Sequence, residues 1–177
     1  MMLSMSSALD RIRQWDERIS ARVFRFPHLW SLDLFLGFFS LIGQGGVVWF
    51  ALGYWLQLTS HQEELFLVLV VAQTLQFVVV GMGIKAAVKR TRPEAREAVL
   101  PLWIGWGEYS FPSGHAASSA TAWVVLAHFV PVASAGTLII ALLCGLSRLY
   151  RHKHYVLDIV CGYVIGGLIG LFTIAFV

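Results

Sequence analysis

Three observations predict an all-α fold, a polytopic bundle of membrane helices. The 177 residues are 58% hydrophobic and only 13% charged, with a mean hydropathy of +0.72, which is too apolar for an ordinary soluble domain. The apolar residues gather into runs long enough to cross roughly 30 Å of hydrocarbon. The 13 Lys and Arg residues fall outside those runs or at their edges. The expected architecture is about five transmembrane helices plus an N-terminal amphipathic interfacial helix. No repeat, low-complexity tract or linker divides the chain, so residues 1–177 are read as one membrane-embedded domain, with 1–30 as a surface arm. Cys144 and Cys161 both lie in apolar runs, which gives a disulfide framework no support. The start lacks the cationic, apolar and small-residue order of a cleaved secretory signal, and the first span is expected to direct insertion.

From about residue 8 to 28, Leu9, Ile12, Trp15, Ile19 and Val23 recur at three- and four-residue steps, while Asp10, Arg11, Arg13, Asp16, Glu17, Arg18 and Arg22 are assigned to the opposite face. This much charge excludes a spanning helix and suits one lying on the bilayer surface. The first span is expected from about Leu34 to Leu56, with Gln44 its strongly polar member and Gly43, Gly45 and Gly46 permitting close helix contact. The second runs from about Leu65 to Val88 and carries Gln73 and Gln76, read as hydrogen-bonding glue between helices. Beyond it Lys85, Lys89 and Arg92 share a helical face up to Pro93. Residues 94–110 are semi-apolar, with Trp103, Trp106 and Tyr109 patterned like an interfacial belt. A third span opens with FPSGH at Phe111–His115, a fourth runs from about Val132 to Leu146 and continues through Ser147 and Arg148, and a fifth covers about Tyr155 to Val177. In the fifth, Gly162, Gly166 and Gly170 form a small-residue stripe for close packing.

Three polar stretches interrupt this pattern. In Ser147–Asp158 (SRLYRHKHYVLD), Arg148 can grip an anion, and four residues separate His154 from Asp158. If a helix begins there, Asp158 can accept the proton of one imidazole nitrogen and leave the other as an aimed nucleophile or base. Exposed Arg, His and Asp near a helix start are also commonly just solvated, and a basic cluster such as Lys85–Arg92 is commonly a topology or headgroup signal. Pro112, Ser113, Gly114 and His115 bring a helix N-terminus, a hydroxyl, room for close approach and a titratable ring, which together make an anion site. Counting spans puts the end of the second, the start of the third, the end of the fourth and the start of the fifth on one side of the membrane. Lys85, Arg92, Ser113, His115, Arg148, His154 and Asp158 therefore converge, and a phosphate carried on an apolar body fits them best.

Lys85–Pro93 (Lys-x6-Arg-Pro), Pro112–His115 (Pro-Ser-Gly-His) and Ser147–Asp158 (Ser-Arg-x5-His-x3-Asp) resemble, in order and spacing, the three-part signature of the type 2 phosphatidic acid phosphatase family. Those lipid phosphate phosphatases share an active-site architecture with vanadium haloperoxidases. The resemblance covers about Leu65 to Val177 and implies a metal-independent phosphatase acting on the terminal phosphate of a lipid phosphate or pyrophosphate. Substrates of the undecaprenyl pyrophosphate, phosphatidylglycerol phosphate, phosphatidic acid or lipid A type would all suit it. It further implies His154 as the nucleophile that becomes phosphohistidine, Asp158 as its orienting partner and His115 as acid and base. Lys85, Arg92, Ser113, Gly114 and Arg148 would hold the phosphate. No cofactor, metal or nucleic acid is implied, and the partners are the lipid substrate and the surrounding lipids. A phosphotransferase, or a non-catalytic lipid-binding protein or transporter, are the competing readings. Many members have six spans, one more than expected here, and the LYRHK segment at 149–153 is more basic than the family's Gly-containing one. The resemblance implies a bacterial inner-membrane protein with an outward-facing site, whereas the excess of cations on the same side argues for the cytoplasm.

Overall fold

The computed structural model describes residues 2–93 and 109–177, with side chains from residue 8 onward. Trp103, Trp106 and the acidic Glu94, Glu97 and Glu108 lie outside the described residues, so the expected aromatic belt is represented only by Tyr109. Helix α1 spans Met2–Phe24, α2 Trp30–Ile42, α3 Val47–Ser60, α4 Leu65–Gln76, α5 Lys85–Val88, α6 Gly114–Phe129, α7 Ser134–Tyr150 and α8 Val156–Ile174. The described residues hold no β-strand beyond an isolated bridge between Thr91 and Tyr109.

Among the described residues three stretches are long and apolar enough to cross a membrane: Leu65–Val88, Pro131–Tyr150 and Val156–Ile174. The expected first span is instead a broken pair, α2 and α3, bent by 54°. Gly45 and Gly46 adopt φ of 64° and 74°, a left-handed conformation that lets the chain turn there without a steric penalty. Consecutive glycines thus break the helix as well as thin it. Leu65–Val88 is continuous, but its middle, Phe77–Ile84, is π-helical. The helix stops at Val88, and Lys89 takes φ 49°, so Lys85, Lys89 and Arg92 are not carried on one helical face as expected.

At 16 residues α6 is about 24 Å long. It is the centre of the bundle, packed by α4, α7 and α8, and every residue from Ala116 to Ala122 is buried. Small side chains make this possible. A Cβ on Gly162 would lie 2.7 Å from the Ser113 carbonyl oxygen, one on Gly166 would collide with the Ala117 carbonyl, and one on Gly170 would lie 2.8 Å from Val124 Cβ. The glycine stripe is therefore the groove in which α6 sits. Polar side chains lock the contact: Thr121 donates to the Gly166 carbonyl at 2.8 Å, Gln73 donates to the Ser118 carbonyl at 3.0 Å, and the Ser118 hydroxyl donates back to Gln73 at 2.9 Å. Trp49, Leu56, Leu65, Leu69, Val125 and Leu126 fill the core towards the other end of α6. The outer surfaces expose Phe38, Leu41, Trp55, Leu67, Leu142, Val164, Leu168 and Phe172, as lipid-facing helices do.

Candidate active site

The polar groups gather where the chain leaves α5, enters α6, leaves α7 and enters α8. Ser110 organises this end: its N–H donates to the Arg90 carbonyl at 2.7 Å and its hydroxyl to the Thr91 carbonyl at 3.0 Å, joining the segment after α5 to the one before α6. The Ser110 carbonyl then faces Nδ1 of His154 at 2.7 Å. A carbonyl only accepts, so Nδ1 carries the proton and the lone pair is on Nε2. The ring is 1% exposed. Burial, together with the charges of Arg92, Arg148 and Lys85, holds its pKa well below the ordinary histidine value, which keeps the imidazole neutral and Nε2 nucleophilic.

Asp158 does not receive the Nδ1 proton. Its Oδ2 is 3.7 Å from Nδ1, beyond hydrogen-bond length. The reason is local. Helix α8 begins only at Val156, so His154 precedes the helix and the two are not stacked on one face. Asp158, at the third helical position, reaches back to accept the Tyr155 N–H at 2.9 Å and accepts from Arg90 at 2.8 Å. Its charge still acts on the ring from 3.7 Å.

His115, one residue into α6, faces the Ser40 carbonyl through Nε2 at 3.2 Å, and Arg148 donates to the Ser40 hydroxyl at 2.6 Å. Ser40 sits on α2 next to the break, and Gly43 lets that turn approach: a Cβ there would lie 3.1 Å from His115 and 3.2 Å from the Cys144 sulfur. Arg92 donates to the Lys153 carbonyl at 3.3 Å, and Lys85 donates to the Tyr109 carbonyl at 3.2 Å. Nε of Arg92 and Nε of Arg148 are buried with no hydrogen-bond partner among the described residues, an arrangement that an oxyanion would satisfy. Burial lowers the pKa of Arg92; burial and then the charges of Arg148, Arg92 and Arg151 lower that of Lys153. Among the described residues, the cations gathered here outnumber the carboxylates.

At the start of α6, Ser113 accepts the Ala116 N–H at 3.4 Å as a helix cap, and its own N–H donates to the Asp158 carbonyl at 2.8 Å, which ties the starts of α6 and α8 together. A Cβ on Gly114 would point into open space. Hydrogen bonds and mutual charge effects thus bring Lys85, Arg92, His115, Arg148, His154 and Asp158 together at this end of the bundle, beside the start of α6 at Ser113 and Gly114. Four residues that sequence reasoning passed over hold them: Ser40, Arg90, Ser110 and Asp16 on the arm. Arg90 bridges Asp158 and Asp16, the latter at 2.7 Å off the N–H axis. It fell in an unspecified position of the Lys-x6-Arg-Pro spacing. Asp16 had a detectable signal, because at about 100° per residue it falls between Val23 and Leu9, inside the apolar stripe.

A model described as the PAP2 superfamily matches residues 64–177. A curated relative, phosphatidylglycerophosphatase B of Bacillus subtilis, is 33% identical over 99 residues, 49% of this chain but only 45% of the relative's length. Among solved structures, the transmembrane PAP2-type phosphatidylglycerolphosphate phosphatase of B. subtilis superposes with a TM-score of 0.75 at 22% identity, over 98% of this chain and 90% of the other. LpxE of Aquifex aeolicus gives 0.72 at 27% identity, over 89% and 93%. The match extends across all three motifs and more than half of the chain, and the chain belongs to the PAP2 superfamily, the type 2 phosphatidic acid phosphatases.

Proposed function

We propose that the protein is a membrane phosphatase that removes the terminal phosphate of a lipid phosphate through a phosphohistidine formed on His154 Nε2. The observation that carries this reading is the buried, neutral His154 ring, with its Nδ1 proton given to the Ser110 carbonyl and the charges of Arg92, Arg148 and Lys85 acting on it. Those cations, with the Ser113 hydroxyl and the Gly114 amide, hold the phosphoryl oxygens while charge moves from the attacking nitrogen towards the leaving oxygen. As Nε2 bonds to phosphorus the imidazole becomes cationic, and Asp158 at 3.7 Å stabilises that charge without taking the proton. His115, whose Nε2–H is given to the Ser40 carbonyl and whose Nδ1 carries the lone pair, takes up one proton from solvent on Nδ1 as the anionic substrate enters, passes it to the leaving lipid oxygen as the P–O bond breaks, and recovers one from the water that cleaves the phosphohistidine. Binding alone has no use for a tautomer fixed in this way, which separates the reading from a passive lipid binder.

The test is phosphate release by the purified chain in detergent micelles. The panel is phosphatidylglycerol phosphate, to which the name of the Bacillus relative points, with phosphatidic acid, undecaprenyl pyrophosphate and lipid A. Wild type is expected to release phosphate from at least one and to yield an acid-labile phosphoenzyme. His154→Ala is expected to lose both, with turnover reduced about 10³-fold or more. Substantial turnover in the folded variant would remove His154 as the nucleophile.

A further inference from the structure

The arm helix α1 exposes Leu9, Ile12 and Trp15, each more than half accessible, yet buries Asp16 and Ser20 completely. A helix that served only to lie on a bilayer would not bury a carboxylate, since an ion withdrawn from water needs full compensation. Asp16 has it from two directions. Its Oδ1 accepts the Leu157 N–H at 2.9 Å, and one turn along the Ser20 hydroxyl accepts the Val156 N–H at 3.0 Å, so α1 caps the first turn of α8 from outside. Its Oδ2 meets Arg90 at 2.7 Å. The other arm of the same guanidinium holds Asp158 Oδ1 at 2.8 Å, and its plane rests 4.0 Å over the Tyr155 ring. Arg90 is thereby fixed on three sides, and the carboxylate 3.7 Å from His154 Nδ1 takes its position from it.

We propose that Asp16 is a positioning residue for the chemistry at His154: through Arg90 and the first turn of α8 it fixes the Asp158 carboxylate against the imidazole. This rests on the phosphohistidine reading. The amphipathic helix then has two duties along its length, the stretch with Leu9, Ile12 and Trp15 towards lipid and the stretch with Asp16 and Ser20 towards the site. With the Asp16 charge removed, Arg90 is balanced by Asp158 alone and draws that carboxylate away from the ring. The phosphate-holding cations are untouched, so the loss falls on turnover and not on substrate affinity.

The experiment compares the full-length chain with Asp16→Asn, which keeps an acceptor for Leu157 and drops the charge, and with Asp16→Glu, which keeps the charge and displaces it by one methylene. Kinetics are taken in micelles on the lipid that the wild type hydrolyses, with kcat expressed per folded molecule from gel filtration and thermal denaturation. The expected order is wild type, then Asp16→Glu reduced about threefold, then Asp16→Asn reduced about 30-fold, all with KM within about twofold. Should Asp16→Asn not fold, Asp16→Glu decides alone. Wild-type kcat per folded molecule, or a raised KM at unchanged kcat, overturns the proposal. A wild type that releases no phosphate and forms no phosphoenzyme overturns the phosphatase reading instead, so the two failures are distinct.

Discussion

The starts of α6 and α8 abut, joined by the bond from the Ser113 N–H to the Asp158 carbonyl, and they are finished in opposite ways. At α8 the chain satisfies its own amides: Tyr155 donates to Asp158, Val156 to Ser20 and Leu157 to Asp16. At α6 the described residues make only a long cap from Ala116 to Ser113, and none of them lies against a Cβ on Gly114. Every helix start leaves N–H groups without internal acceptors and carries a partial positive charge. One start spends that property on holding the molecule together; the other, on the proposed reading, keeps it for phosphate. The difference lies in which residues the rest of the chain brings near, not in the helices themselves.

Substitutions can push each start towards the other's condition. The largest effect is expected where they touch. Gly162→Ala puts a methyl 2.7 Å from the Ser113 carbonyl and 3.0 Å from Ala116, forcing α6 off α8. It should cost about 3 kcal/mol of stability and most of the activity. An unchanged thermal midpoint in detergent would show that the two starts are not held in contact. Gly114→Ala meets no atom of the described residues and should leave stability within about 0.5 kcal/mol of wild type. On the proposed reading the methyl takes room meant for phosphate, so KM is expected to rise about tenfold, roughly 1.4 kcal/mol. Equal KM values for the two proteins would mean that the open start takes no ligand. Ser20→Ala has the smallest effect. It removes one outside cap from α8 and should lower stability by about 1 kcal/mol, with kcat close to wild type because Asp16 and Arg90 remain paired. A large fall in kcat would show that the hydroxyl does more than cap.

Periodicity and spacing made the bundle and the pocket legible. The apolar runs at 65–88, 132–148 and 155–177 correspond to helices within a few residues, and Gly162, Gly166 and Gly170 do form the groove for α6. What the linear chain concealed was mostly geometry at breaks. Residues 34–56 have the composition of one span, and only positive φ at Gly45 and Gly46 turns them into two helices that bring Ser40 to His115 and Arg148. The four-residue spacing of His154 and Asp158 suggested a direct bond, but a helix that starts between them redirects the carboxylate to Tyr155 and Arg90. Asp16 was grouped with the solvated face because charge is normally solvated, and its partners lie 74 and 141 positions away, beyond any local pattern.

That last separation bears on biogenesis. The hydrogen bond between Asp16 and the Leu157 amide closes a loop of 141 residues, among the slowest kinds of contact for a chain to find. While α1 waits at the bilayer for α8 to be synthesised, Arg90 has neither of its carboxylates in their final places. On the role proposed for Asp16, the carboxylate beside His154 takes its working place only once α1 and α8 have met.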